Sequence, residues 1–228
     1  MKHDLSAVPH DIEQQGWAVI DALLNPAECR SFTDLYAQEA PFRTRIIMAR
    51  HGFGQGEYRY FSYPLPPRLA QLRGELYSAL VPLANGMNER MRATVRYPDA
   101  YEEFQKRCHD AGQTRPTPLL LKYGEGDYNT LHQDIYGEHV FPMQVAVLLS
   151  RPGDDFTGGE FILTEQRPRR QSRASVVPLA QGDAVVFTVR DRPVQGARGS
   201  YRVNHRHGVS TVRSGSRYTL GIIFHDAA

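Results

Sequence analysis

The residues of this 228-residue chain best suited to hold a metal ion are His132-Gln133-Asp134 and a distant second histidine, His207. On an extended strand, positions i and i+2 point the same way, so an imidazole and a carboxylate spaced like this can meet one ion. Two imidazoles and one carboxylate on one face leave the opposite coordination positions open. That is the donor set of non-haem Fe(II) centres that use O2. Ten residues after His207 comes Arg217-Tyr218-Thr219. Arg217 and Thr219 share a strand face. A guanidinium fork beside a hydroxyl is a receptor for a carboxylate in a charge-assisted pair. A dicarboxylic 2-oxo acid that chelates iron at one end needs such an anchor at the other. Leu220 to Phe224 read as a buried strand, and an arginine leading into a core strand needs a partner.

The elements that must position these groups change character along the chain. Gly16–Asp21 reads as a short strand. Asn25-Pro26-Ala27-Glu28 has the cap, the first-turn proline and the acid three residues on that start a helix, here running to about residue 40. Residues 46–63 mix strand formers with three glycines and read as a flexible hairpin or lid. Leu69, Leu72, Leu76, Leu80, Leu83, Met87 and Met91 recur at helical spacing over 67–92, with a break expected near Pro82. From about Thr117 the period becomes that of strands: 119–123, 144–149, 159–163, 175–179, 183–187 and 217–224. Many short strands with Gly, Asp and Pro turns between them indicate a double-sheet sandwich or barrel. The expected architecture is α+β and mainly β. A helical and lid extension, 1–115, packs on a β-barrel core, 116–228, within one structural domain.

Composition excludes some classes. The apolar share is 41%, and no apolar run approaches the ~20 residues of a membrane-spanning helix. The start, Met1-Lys2-His3-Asp4-Leu5, lacks the basic-then-apolar pattern of a secretory signal. Cys29 and Cys108 are the two cysteines, far apart, so neither a disulfide framework nor a Cys-x-x-Cys site is expected. These features point to a reducing cytoplasm, which also keeps iron ferrous. Net charge is only +2, but residues 165–217 hold eleven arginines against three acids, a local +8, and the rest of the chain is −6. Such asymmetry reads either as a surface for an anionic partner or as a solvated basic face.

Five motifs, in order, carry a resemblance. Tyr123-Gly124-Glu125-Gly126-Asp127-Tyr128-Asn129-Thr130-Leu131-His132-Gln133-Asp134 resembles the Tyr-x-x-Gly-x-x-Tyr-x-x-His-x-Asp signature of prolyl-4-hydroxylase-type Fe(II)/2-oxoglutarate oxygenases. Gly158-Gly159-Glu160, Gly182-Asp183-Ala184-Val185-Val186-Phe187, His207-Gly208-Val209, and Gly215 with Arg217 and Thr219 resemble the later motifs of that superfamily. The resemblance covers about 119–225. It implies a double-stranded β-helix (jelly roll), with Fe(II), 2-oxoglutarate and O2 as cofactor and cosubstrates and ascorbate in support. It implies His132, Asp134 and His207 as ligands, Arg217 with Thr219 as the cosubstrate anchor, and Tyr123 hydrogen-bonded to the cosubstrate carboxylate beside Arg217. His205 is the rival for the last ligand. His207 is preferred because its distance to Arg217 matches the pattern and Gly208-Val209 follow it. The prolyl-hydroxylase branch commonly has lysine where Arg217 stands, so the chain departs from that branch.

The whole chain also resembles bacterial oxygenases grouped with AlkB-type nucleic-acid repair enzymes. That implies decarboxylation of 2-oxoglutarate coupled to hydroxylation or oxidative demethylation of a damaged base. Single-stranded nucleic acid would then lie on the 165–217 arginines, above all Arg167, Arg169, Arg170 and Arg173, and Phe53, Tyr58, Tyr60, Phe61 and Tyr63 would stack on a flipped base. Ile223 stands where AlkB-type enzymes carry a second arginine. A peptide or prolyl hydroxylase and a small-molecule hydroxylase are the alternative readings.

Overall fold

The structure is a computed structural model that describes residues 4–197 and 199–228. Met1, Lys2 and His3 of the N-terminal stretch, and Arg198 of the arginine-rich segment, lie outside the described residues. The chain opens with helix α1 (Val8–Gln15), strand β1 (Trp17–Ile20) and helix α2 (Pro26–Leu35). The start of α2 follows its sequence: the Asn25 side chain accepts from the backbone of Ala27 and Glu28, and Glu28 accepts from the Asn25 N–H. The helix ends at Leu35, short of the expected 40. Its last turn tightens as Tyr36 N–H donates to the Thr33 carbonyl. The Tyr36 ring then packs against Phe42 and Tyr218, at 6.3 and 5.6 Å.

Next come β2 (Phe42–Ile47), β3 (Gly54–Gln55), β4 (Glu57–Phe61), α3 (Pro67–Arg90) and α4 (Tyr101–Asp110). Helix α3 is continuous through Pro82, where a break was expected. Pro82 and Ser78, whose carbonyl loses its helical donor, both face solvent, and water can replace the bond. Leu69, Leu72, Leu76, Leu80 and Met87 are buried as their spacing required.

The strand-rich remainder is β5 (Leu119–Tyr123), β6 (Tyr128–His132), β7 (Met143–Leu148), β8 (Phe156–Gly158), β9 (Phe161–Gln166), β10 (Arg173–Val177), β11 (Ala184–Thr188), β12 (Asp191–Gly196), β13 (Gly199–Val209), β14 (Val212–Gly215) and β15 (Arg217–Ile222). A seven-stranded antiparallel sheet runs β1-β11-β7-β15-β5-β4-β2. It faces a second sheet, β10-β9-β13-β6-β3, with β12 also paired to β13. This is a jelly roll with helices on one side.

The large sheet divides its side chains strictly by parity. Val145, Val147, Leu120, Leu220 and Ile222 face the helices in the main apolar core. Alternate residues, among them Tyr123, Leu148 and Arg217, face the second sheet.

The segment 46–63 is a hairpin, but it does not stand free as a lid. Strand β4 pairs with β5, and β3 at the tip pairs with β6, so the hairpin is bonded into both sheets. Strands β1, β2 and β4 also place residues from before 115 inside the large sheet. No helix among the described residues is long and apolar enough to cross a membrane. Cys29 and Cys108 are buried and free.

Candidate metal and cosubstrate centre

Strands β6 and β13 lie side by side in the second sheet, with His132 directly opposite His207. Their ring centroids are 4.2 Å apart. Gly208 permits this approach, because a Cβ there would stand 2.7 Å from the Asn129 carbonyl oxygen. Strand β6 stops at His132, so Asp134 sits just past the strand end and not on it. The extended backbone still brings the carboxylate back: Oδ1 lies 3.6 Å from His132 Nε2 and Oδ2 3.4 Å from His207 Nε2. One donor atom from each of the three residues falls within 4.8 Å of the others, a spacing one ion can bridge.

The donors are prepared for a cation. Nδ1 of His132 lies 2.7 Å from the Thr130 carbonyl, which fixes the proton there and leaves the Nε2 lone pair free. Burial pushes the His207 imidazole below its ordinary pKa, His132 adds to the shift, and Asp134 only partly opposes it, which favours the neutral ring that a metal ligand requires. Burial alone would raise the Asp134 carboxyl. The two imidazoles and the Tyr136 hydroxyl outweigh it and hold the group ionised, well below the carboxylate range.

Two residues that the sequence did not single out grip that carboxylate from behind. Tyr136 donates to Oδ1 at 2.7 Å, and the Gln144 amide donates to Oδ2 at 2.8 Å. Gln144 Oε1 is buried and has no partner among the described residues. The only sequence signal for Tyr136 is its place two residues after Asp134.

His205 belongs elsewhere. It is fully buried against Gly16, bonded to Thr188 Oγ1 at 2.6 Å, and sits 3.5 Å from Glu165.

Arg217, opposite Tyr123 in the ladder, is buried at the far side of the same cavity. Its Nη1 donates to Thr219 Oγ1 at 2.6 Å, as the shared strand face requires. Its Cζ is 5.5 Å from the Tyr123 ring and 5.9 Å from Phe156. No carboxylate lies within 4.0 Å of it among the described residues, and Nε is buried without an acceptor. Burial drives its pKa down to about 10, against the smaller opposing pull of Tyr123 and Glu160. A desolvated, unneutralised guanidinium is costly on its own. The guanidinium has the fork geometry that receives a carboxylate. Gly159 makes room for it: at φ +63°, its Cβ would stand 2.9 Å from Arg217 Cδ. Burial also pushes the Tyr123 phenol up to about 12, so its O–H remains a donor toward the same space.

These residues line one cavity of about 1000 Å³, open space at its mouth included. Of the five aromatics expected to stack on a substrate, Phe53, Tyr58 and Tyr60 line it. Phe61 does not, because it is fully buried beneath the helices. Tyr63 does not either; its hydroxyl donates to Asp226 on another side of the sheet. The arginine-rich segment also divides. Arg192 is buried against Glu165, Arg167 pairs with the same acid at 2.7 Å, and Arg217 belongs to the cavity. Arg169, Arg170, Arg173, Arg206 and Arg213 remain exposed.

A family model described as "Oxygenase, catalysing oxidative methylation of damaged DNA" matches residues 56–227. The chain belongs to this oxygenase family. An uncharacterised protein of Mycobacterium tuberculosis, found in strains H37Rv and CDC 1551, is 51% identical over 168 residues, 74% of this chain and 72% of that protein. Among solved structures, a Pseudomonas putida prolyl-4-hydroxylase aligns over 99% of this chain and 100% of its own, with 15% identity and a TM-score of 0.56. A Trichoplax adhaerens prolyl hydroxylase in complex with a hypoxia inducible factor peptide fragment aligns over 96% and 87%, at 14% and 0.59. A 2OG-Fe(II) oxygenase family oxidoreductase from Burkholderia pseudomallei aligns over 100% and 95%, at 16% and 0.56. At these identities the solved structures speak to the fold, which they share with this oxygenase.

Proposed function

We propose that this oxygenase oxidises damaged or methylated bases in single-stranded nucleic acid, with His132, Asp134 and His207 holding Fe(II) and Arg217, Thr219 and Tyr123 holding 2-oxoglutarate. The observation that carries the site assignment is the pairing of two incomplete charges in one cavity. Among the described residues no Lys or Arg side chain pairs with the carboxylate that meets the two imidazoles, and no carboxylate pairs with the buried guanidinium. Fe(II) and a 2-oxo dicarboxylate complete both.

When bound, the iron supplies O2 activation and oxidation of a C–H bond, with 2-oxoglutarate giving up CO2 to become succinate. The chain's own part is geometry and exclusion of water. Arg217 and Thr219 fix the far carboxylate, Tyr136 and Gln144 hold the Asp134 oxygens, and Leu119, Leu121 and Ile223 line part of the cavity with hydrocarbon. A hydroxyl placed on an N-methyl carbon gives a hemiaminal that releases formaldehyde, so such a centre removes methyl groups.

The family description supports a nucleic-acid substrate. So does the aromatic lining: Phe53 is 46% exposed at the rim, stacked on His51 at 5.4 Å, and its backbone is bonded to Met48 and Thr130. A rigid exposed ring at a cavity mouth suits stacking on a base. Cytoplasmic work on single strands, with ascorbate keeping iron ferrous, belongs to the same reading.

The test is succinate and formaldehyde release over a panel of methylated single-stranded oligonucleotides, methylated nucleosides and prolyl peptides, with Fe(II), 2-oxoglutarate, ascorbate and air. Stimulation by a peptide and by no oligonucleotide overturns the substrate assignment. Asp134→Ala is expected to lower both bound Fe(II) and turnover by more than ~100-fold, beyond what loss of an outer partner costs. Retention of either in Asp134→Ala overturns the ligand assignment.

A further inference from the structure

Arg43 sits at an irregularity in the edge strand of the large sheet. The β2–β4 register shifts between Phe42 and Thr44, so Arg43 is the extra residue of a bulge. Bulges re-aim a side chain, and this one lays the guanidinium over the Tyr60 ring, 4.5 Å from its centroid. Tyr60 is a wall of the cavity, and its hydroxyl lies 3.4 Å from that of Tyr136, which bonds Asp134. Arg43 therefore stands on the outer side of the tyrosine pair that separates it from the metal carboxylate.

The guanidinium is half-buried and incompletely used. Nε donates to the Pro116 carbonyl at 3.0 Å, and the two terminal nitrogens donate to nothing among the described residues. Among the described residues no carboxylate lies within 4.0 Å of it. Asp226 is near enough to act on it, but that carboxylate already bonds Arg73, Tyr63 and His109. Exposed Arg115, next to Pro116, adds a second positive charge close by and depresses the pKa of Arg43, as burial does more strongly. Arg59, also without a carboxylate among the described residues, points to the opposite face of β4 and bonds the Gln38 carbonyl.

Resting on the nucleic-acid reading above, we propose that Arg43, with Arg115 beside it, holds a backbone phosphodiester of the substrate strand next to the base that enters the cavity. Stacking on Tyr60 fixes the plane of the fork, and its two free terminal nitrogens match two phosphate oxygens. Two adjacent cations suit a backbone that repeats its charge at every nucleotide. Arg43 is a positioning residue and takes no part in oxidation.

The test is binding of a fluorescent single-stranded oligonucleotide to the full chain with Mn(II) and 2-oxoglutarate, titrated across salt concentrations. Arg43→Gln is expected to weaken binding about tenfold at low salt and to flatten the slope of log K against log salt by about 0.7, the share of one phosphate. Wild-type affinity and slope in a folded Arg43→Gln protein overturn the assignment and leave the nucleic-acid reading standing. Failure of the wild-type protein to bind any oligonucleotide overturns both. A second measurement needs no variant: modification of Arg43 by phenylglyoxal, mapped by mass spectrometry, is expected to be blocked by the oligonucleotide and not by 2-oxoglutarate alone. Labelling of Arg43 that saturating oligonucleotide leaves unchanged also overturns the assignment.

Discussion

Arg73 and Arg217 are both buried, and they meet the two ends of one stretch of chain from opposite faces of the large sheet. Arg73 rises from α3 to the end of β15. It donates to the Ile223 and Phe224 carbonyls at 2.8 and 3.1 Å, to the Tyr63 hydroxyl at 3.0 Å and to Asp226 at 2.7 Å. Burial would depress its pKa, but Tyr101, Asp226 and Tyr63 reverse the shift and hold it above the ordinary value. Arg217 begins β15, has one hydroxyl and two ring faces around it, and its pKa falls. The same side chain, equally buried, closes a structural knot in one place and leaves a charge open in the other. The difference lies in the supply of carboxylates, and it separates a charge that the fold answers from one that it leaves open.

The largest effect is expected at the closed knot. Arg73→Met leaves Asp226 buried with its main cation gone, and breaking one side of such a pair costs about 3–5 kcal/mol. Urea unfolding measures it. A loss below about 1 kcal/mol breaks the comparison, because the knot would then be dispensable.

Arg217→Met should behave in the opposite way. A cation whose folded pKa is lowered penalises folding at every pH below about 10, where it is charged in both states, and the penalty is relieved as pH rises toward the unfolded value. Replacing Arg217 at neutral pH is therefore expected to leave stability unchanged or raise it by about 1–3 kcal/mol. The same change removes charge-assisted hydrogen bonds to the cosubstrate, worth about 1.5–3 kcal/mol, so the KM for 2-oxoglutarate rises roughly 10- to 100-fold. Bound iron stays near the wild-type level. In the unaltered protein, 2-oxoglutarate binding should hold steady to about pH 9 and weaken as Arg217 loses its proton near 10. Destabilisation in Arg217→Met, with 2-oxoglutarate binding intact, would make Arg217 a structural residue like Arg73.

What the sequence disclosed follows from distance along the chain. Arg217 with Thr219 was legible because two residues on one strand face meet by local geometry alone, and His132 with Asp134 was legible for nearly the same reason. Strands made of apolar runs, such as β5 and β7, were also plain. Strand β13 was not, because Gly199–Val209 carries arginines, histidines and an asparagine that look like loop. Its long ladder with β12, β9 and β6 supplies the order that its composition hides. The hairpin glycines of 46–63 read as flexibility, yet they serve a turn whose tip pairs with β6. Phe61 and Tyr63 looked equivalent to Tyr58 and Tyr60, but strand parity sends Phe61 into the helical core. The Arg73 knot was invisible, since its partner lies 153 residues away at the C-terminal end.

The smallest expected effect tests the open site from its outer side. Tyr136 and Gln144 donate to Asp134, and neither carries charge, so the carboxylate keeps its negative charge for an ion. Arg73 instead neutralises Asp226 outright. Tyr136→Phe keeps the ring beside His225, centroids 6.1 Å apart, and deletes only the hydroxyl that holds Asp134 Oδ1 and meets Tyr60. Loss of one such outer partner is expected to lower Fe(II) affinity about tenfold, with little change in unfolding free energy. Competition with a metal indicator measures the first, and urea unfolding the second. Unchanged affinity would mean that Gln144 alone orients the carboxylate. Affinity that falls together with stability would mean that the tyrosine pair is packing, and that the open site depends on structural support much as the closed knot does.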